Sequence, residues 1–352
     1  MQPIERQNIA LFSPSNFAMV MATGIVSIAA HNFNLHLLAD GLFYLNNLLY
    51  VLVWVLTIIR LLKYPKVFWG DLYKHATGLS FLALVAATNV LGVQYITMYQ
   101  NYTVGFVLWV VGVVFWLLIT YTVFTILTVK VKKPTLASGI NGAWLLAIVA
   151  TQSIAIMSTL IASHSDPSIR LEFNFIALSM WLWGGMQYIW MMALIFYRYT
   201  FFRMDASELT PPYWINMGAM AISTLAGALL IEHAEQAPYL FSLLAFIKGF
   251  TIFYWATATW WIPMLAILGL WRHVYKRVPL RYDPLFWGAV FPLGMYTVCT
   301  QQLNLALQFT LLTVITQIML VVSIIAWSLT FFGACREGYS WLSGLRSGPS
   351  KR

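Results

Sequence analysis

Few residues in this chain could do chemistry in an apolar setting, and those few recur at intervals. Thr23 with Gly24, Thr88 with Asn89, Thr151 with Gln152, Asn216 with Ser223, and Gly294, Thr297 and Gln301 each interrupt a run of aliphatic and aromatic residues. Such hydroxyls and amides have no acid or base beside them, so proton transfer and nucleophilic attack are poorly served. They can instead replace water around a solute that crosses an apolar layer. Their other use is close helix–helix contact, for which Gly, Ser and Thr are well suited. The segment 285–304, LFWGAVFPLGMYTVCTQQLN, poses the choice most sharply. It is a pore wall or a kinked structural helix.

Machinery for an enzyme is missing. No G-x-S-x-G and no H-E-x-x-H is present. All six histidines fall in loops or at helix ends, which gives intramembrane haem or metal ligation little support. Cys299 and Cys335 form neither a disulfide framework nor a zinc pattern. The expectation is therefore no enzyme, no cofactor and no metal.

The elements that must position the polar residues follow from composition. Of 352 residues, 61% are hydrophobic and 9% charged, against about a quarter charged in soluble domains. Apolar runs long enough to cross a bilayer recur throughout, so the fold class is an all-α polytopic membrane protein. Ten transmembrane helices are expected at about 15–33, 39–61, 76–97, 103–129, 141–163, 171–197, 211–232, 238–271, 285–307 and 309–334. The eighth is too long for one straight span and must tilt, kink at Pro263 or begin as an interfacial turn. Residues 1–14 and 335–352 are expected as tails around one transmembrane domain, 15–334.

Odd-numbered helices hold the small and hydroxyl residues, whereas even ones are rich in Leu, Trp, Phe and Val. Thr23, Thr88, Thr151, Ser223 and Thr297 lie 65, 63, 72 and 74 residues apart, one odd–even hairpin per interval. Five quasi-repeated hairpins of like orientation predict an inner ring of odd helices around a central pore, with the polar residues named above lining it. Every Lys and Arg except Arg170 and Lys248 falls at the termini or in alternate loops. Cytoplasmic loops collect such residues, so a multi-pass protein of the cell membrane with both termini cytoplasmic is expected. The net charge of +9 is thus a topology signal and no pointer to nucleic acid; lipid contact follows from it. An acid-free lining behind a basic mouth favours small anions. Lys248 either snorkels outward, pairs with Glu232 or Glu235, or helps to attract an anion.

The stretches SPSNFAMVMATGIVSIA, PYWINMGAMAISTLAG, WATATWWIPMLAILGLWRHV and PLFWGAVFPLGMYTVCT give the chain a resemblance to a known family. It is similar, over nearly its whole length, to the tellurite-resistance/dicarboxylate transporter family, which includes fungal malate permeases, fungal sulfite exporters and the plant slow anion channel. The resemblance implies ten helices with five lining a pore, assembly as a homo-trimer with one pore per subunit, and an aromatic gate. By motif match the gate is Phe291, with Pro292 beside it. The long terminal extensions of the plant channels have no counterpart in this sequence. Two functions compete: a channel-like path for small anions, and a proton-linked C4-dicarboxylate or sulfite transporter.

Overall fold

The computed structural model describes residues 9–342, and among them there are helices and connections but no strand. Ten long helices follow one another: α1 (Phe17–Asn32), α2 (His36–Lys63), α3 (Ala83–Tyr99), α4 (Tyr102–Val129), α5 (Leu146–His164), α6 (Pro167–Phe201), α7 (Ile215–Glu232), α8 (Leu244–Leu270), α9 (Trp287–Leu307) and α10 (Thr313–Leu342).

Each odd helix is introduced by a 3₁₀ turn: Pro14–Asn16, Gly78–Leu82, Gly142–Leu145, Pro211–Trp214 and Pro284–Phe286. Local chemistry explains three of them. Side-chain oxygens of Ser13, Asn141 and Asp283 accept from backbone N–H groups two residues on, satisfying donors that a helix start leaves free. Proline, which has no N–H to lose, opens three of the turns. At the opposite end the connections are short. α3 and α9 terminate on Gln100 and Gln308, each in the left-handed region with φ of 53° and 56°, which stops the helix and reverses the chain.

Helix contacts follow the hairpins and then go further. α1 packs on α2, α3 on α4, α5 on α6, α7 on α8 and α9 on α10. The odd helices also pack on one another in sequence, α1 on α3, α3 on α5, α5 on α7, α7 on α9, and α9 returns to α1. Burial divides the two sets. The most apolar stretch of α5 is wholly buried, whereas only 22% of the corresponding stretch is buried in α4, α8 and α10. A helix that is apolar all round and yet exposed on most of its surface is suited to lipid rather than water.

Among the described residues, seven segments are long and apolar enough to cross a membrane: His36–Lys63, Gly78–Tyr99, Tyr102–Val129, Gly142–His164, Pro211–Glu232, Leu244–Tyr275 and Thr313–Tyr339. The overlong eighth span of the sequence reading is broken. A short helix, Pro238–Ser242, precedes α8, and a π-helical turn, Trp271–Tyr275, follows it. The last helix continues to Leu342, past the boundary at 334 that composition suggested, because Ala, Cys, Arg and Glu after Gly333 are compatible with helix. Of the expected tails, residues 1–8 and 343–352 lie outside the described residues.

Candidate functional site

The five 3₁₀ turns converge on a cavity of about 450 Å³. Its rim carries Ser13 and Ser15, Thr77 and Ser80, Asn141, and Thr210, one polar group or pair from the segment leading into each of four odd helices; Leu285 and Gly288 represent the fifth. Met21, Leu146, Ile215 and Phe291 line it further in. Five helix N-termini thereby share one chamber, and the positive ends of their dipoles favour a negative occupant. Arg198, only 7% exposed, lies on the wall. It donates to the Ile140 carbonyl at 3.1 Å and to the Tyr213 hydroxyl, and forms an ion pair with Glu208 at 3.0 Å.

A second, smaller cavity of about 90 Å³ is lined by all five odd helices nearer their other ends. Most of its lining is aliphatic, including Ile25, Val90, Ile156, Leu225 and Met295. Its polar groups are Asn32, Thr97, Ser153 and Gln302. The two cavities have no lining residue in common. Met21 and Ile25 on α1, and Phe291 and Met295 on α9, sit one turn apart on opposite sides of the division. Phe291 is 1% exposed.

Most of the polar residues singled out in the sequence are placed elsewhere. Thr23, Thr88 and Thr151 accept or share hydrogen bonds with even-helix aromatics: Trp327 Nε1 at 3.1 Å, Tyr50 Oη at 2.9 Å and Trp116 Nε1 at 2.9 Å. The Ser223 hydroxyl donates to the Ala219 carbonyl, while the Ser223 carbonyl accepts from Trp181 Nε1 at 2.9 Å. Thr297 donates to the Leu293 carbonyl, and its neighbour Thr300 accepts from Trp255 Nε1 at 3.1 Å. Every odd helix is thus tied by an aromatic donor from an even helix, an arrangement repeated five times.

The amides behave similarly. Gln152 donates to the Trp181 carbonyl at 3.0 Å and Asn216 to the Tyr199 hydroxyl at 3.0 Å. Asn89 donates to the Ser153 hydroxyl at 2.9 Å, one layer behind the smaller cavity. Gln301 donates to the Asn32 carbonyl at 3.2 Å. Gly24 and Gly294 permit close approach. A Cβ at Gly24 would meet Val90 at 2.6 Å, and one at Gly294 would meet Ile25 at 2.8 Å. Pro292 rests on α7, where a Cβ at Gly218 would meet its ring at 2.7 Å. Phe291 is the single candidate from the sequence reading that lines either cavity.

Lys248 is half-buried on α8 and lines neither cavity. Among the described residues no ion pair joins it to Glu232 or Glu235; Glu232 instead accepts from Gln302 Nε2. The basic residues of alternate loops have a structural use beyond topology. Arg60, Lys130, Arg198 and Arg272 donate to the carbonyls of Ala10, Tyr73, Ile140 and Leu209 respectively. Each such carbonyl precedes the 3₁₀ turn of its own hairpin, so a cation at the exit of an even helix latches the start of its odd partner. No sequence signal beyond their position distinguishes these four from the other cations. Of the lining groups, Ser153 and Gln302 lie one or two positions from residues singled out, a displacement that turns a side chain to another helix face, whereas Asn32 and Thr97 lie about two turns beyond Gly24 and Asn89.

Long apolar helices around enclosed cavities define a multi-helix membrane protein. A family model described as voltage-dependent anion channel (SLAC1) matches residues 11–335, and the chain belongs to that family. Two uncharacterized transporters of Methanocaldococcus jannaschii are similar to it. One is 28% identical over 302 residues, covering 82% of this chain and 84% of its own length. The other is 25% identical over 342 residues, covering 94% of each. An uncharacterized membrane protein of Mycobacterium tuberculosis is 38% identical over 144 residues, 41% of this chain and 73% of its own.

Proposed function

We propose that the protein conducts small anions across the cell membrane through a path enclosed by α1, α3, α5, α7 and α9, and that Phe291 closes this path. All ten long helices cross the bilayer in this reading, with both termini cytoplasmic and the larger cavity open to the cytoplasm. The observation that carries it is the cyclic contact of the five buried odd helices, which enclose two cavities in line, divided near Phe291. A lining whose only charged groups, Arg198 and Glu208, pair with each other, together with converging helix N-termini, suits an anion. Homo-trimeric assembly, with a separate path in each protomer, belongs to the same proposal.

A proton-linked dicarboxylate or sulfite carrier needs a titratable group on the path or a protonated substrate. Among the described lining residues of the two cavities Glu208 is the only carboxylate, and Arg198 holds it. The channel-like reading is therefore preferred. Purified protein in liposomes distinguishes the two. Chloride, nitrate and sulfite flux linear in concentration and indifferent to an imposed pH gradient is expected. Saturable malate or sulfite uptake that requires the gradient contradicts it.

A further inference from the structure

Outside the ring of odd helices, a groove of about 710 Å³ opens between α9, α10 and the loop that precedes α9. One face of each helix forms it: Ala289, Val290 and Leu293 on α9, and Ala326, Leu329 and Gly333 on α10. Tyr282 seals its base, so close to α10 that a Cβ at Gly333 would meet the ring at 2.6 Å. The groove is polarised along its length. Its deep part is aliphatic, and its loop end carries Arg281, Arg336 and Glu337. No ion pair or hydrogen bond engages either arginine among the described residues, and two cations against one carboxylate leave an excess of positive charge. Thr330, also in the wall, spends its hydroxyl on the Ala326 carbonyl. Leu280, Leu329 and Phe332, 72%, 69% and 70% exposed, flank the opening, so in a membrane the groove faces acyl chains.

We propose that this groove binds one anionic phospholipid from the leaflet on the basic-loop side. Its phosphate rests on Arg281 and Arg336, and an acyl chain lies along Ala289, Val290 and Leu293. A groove with an apolar floor and two unpaired cations at its interfacial end is complementary to an amphiphile with one negative head. Cations at that depth draw acidic lipids selectively. Val290 and Leu293 flank Phe291 and Pro292, so an occupied groove presses on the back of the segment that carries the gate. That consequence rests on the gating role proposed above; the binding does not.

Native mass spectrometry of the purified protein with added phosphatidylglycerol or phosphatidylcholine tests the site. Wild type is expected to retain one phosphatidylglycerol per protomer in preference to phosphatidylcholine. The exposed pair Arg281→Gln/Arg336→Gln is expected to lower that preference roughly ten-fold or more. Ala326→Phe, which fills the deep part and keeps both arginines, is expected to lower retention as well. Equal retention by wild type and the double variant overturns the proposal, as does the absence of a headgroup preference in wild type. Efficient disulfide cross-linking of Leu329→Cys between copies places a second chain in the groove and also overturns it. Lipid retention is read without flux. Arginine-dependent retention together with a Phe291→Ala variant of unchanged flux leaves the lipid site standing and removes the gate.

Discussion

At the scale of single residues, Phe291 and Ser153 carry the functional reading and Thr151 shows how it could go astray. Positions 151 and 153 differ by about 200° around a helix. One hydroxyl therefore meets Trp116 and the Gln187 amide, and the other meets the smaller cavity. Residue type and interval were legible in the sequence; the facing was not, because a helix buried all round gives no polar side from which to read its rotation. Thr97→Cys and Ser153→Cys are expected to react with a small hydrophilic thiol reagent in a Cys335→Ser background, while Thr151→Cys stays silent. Native Cys299 is fully buried and should not contribute. Labelling at 151 with silence at 97 and 153, measured by mass shift, would reverse this assignment.

At the scale of elements, two sets of bonds link successive helices. Tyr50, Trp116, Trp181, Trp255 and Trp327 each tie an even helix to an odd one. Arg60, Lys130, Arg198 and Arg272 latch the 3₁₀ turns. Interhelical hydrogen bonds in membranes contribute about 0.6 kcal/mol on average. Trp116→Phe is accordingly expected to lower thermal stability in detergent by only a few degrees. Glycines differ by what surrounds them. A Cβ at Gly142 would meet the Pro212 carbonyl oxygen at 2.5 Å, an unyielding backbone atom, whereas at Gly294 it would meet an Ile25 methyl at 2.8 Å. Gly142→Ala should cost about 1–3 kcal/mol and Gly294→Ala distinctly less, as read by Tm; the reverse order would count against this helix arrangement. The existence of the helices was legible from hydrophobic runs. The 3₁₀ turns were not, since their proline and serine signals also fit ordinary loops.

At the scale of the whole molecule, the placement of charge unites topology with electrostatics. The loops rich in Lys and Arg surround the larger cavity, and His75 lies beside its Ala76–Thr77 rim. Partial burial first, then the neighbouring Lys130 and Lys133, hold the His75 imidazole below its ordinary value. It is neutral at pH 7 and gains a proton only as the pH falls through that lowered value, which adds positive charge at the mouth. Acidification on the loop side alone should therefore speed anion entry, and His75→Gln should remove that increment; an identical pH profile in the variant would exclude His75 as its source. Orientation is checked in intact cells. Lys132→Cys should resist an impermeant thiol reagent that modifies Gln308→Cys, and the opposite pattern would invert the proposed topology. The central claim is an anion path between the five odd helices closed by one aromatic side chain. It is tested most directly by chloride flux through purified Phe291→Ala in liposomes beside wild type. A rise of ten-fold or more with folding intact is the predicted result. Flux unchanged from wild type in a folded variant would contradict the account.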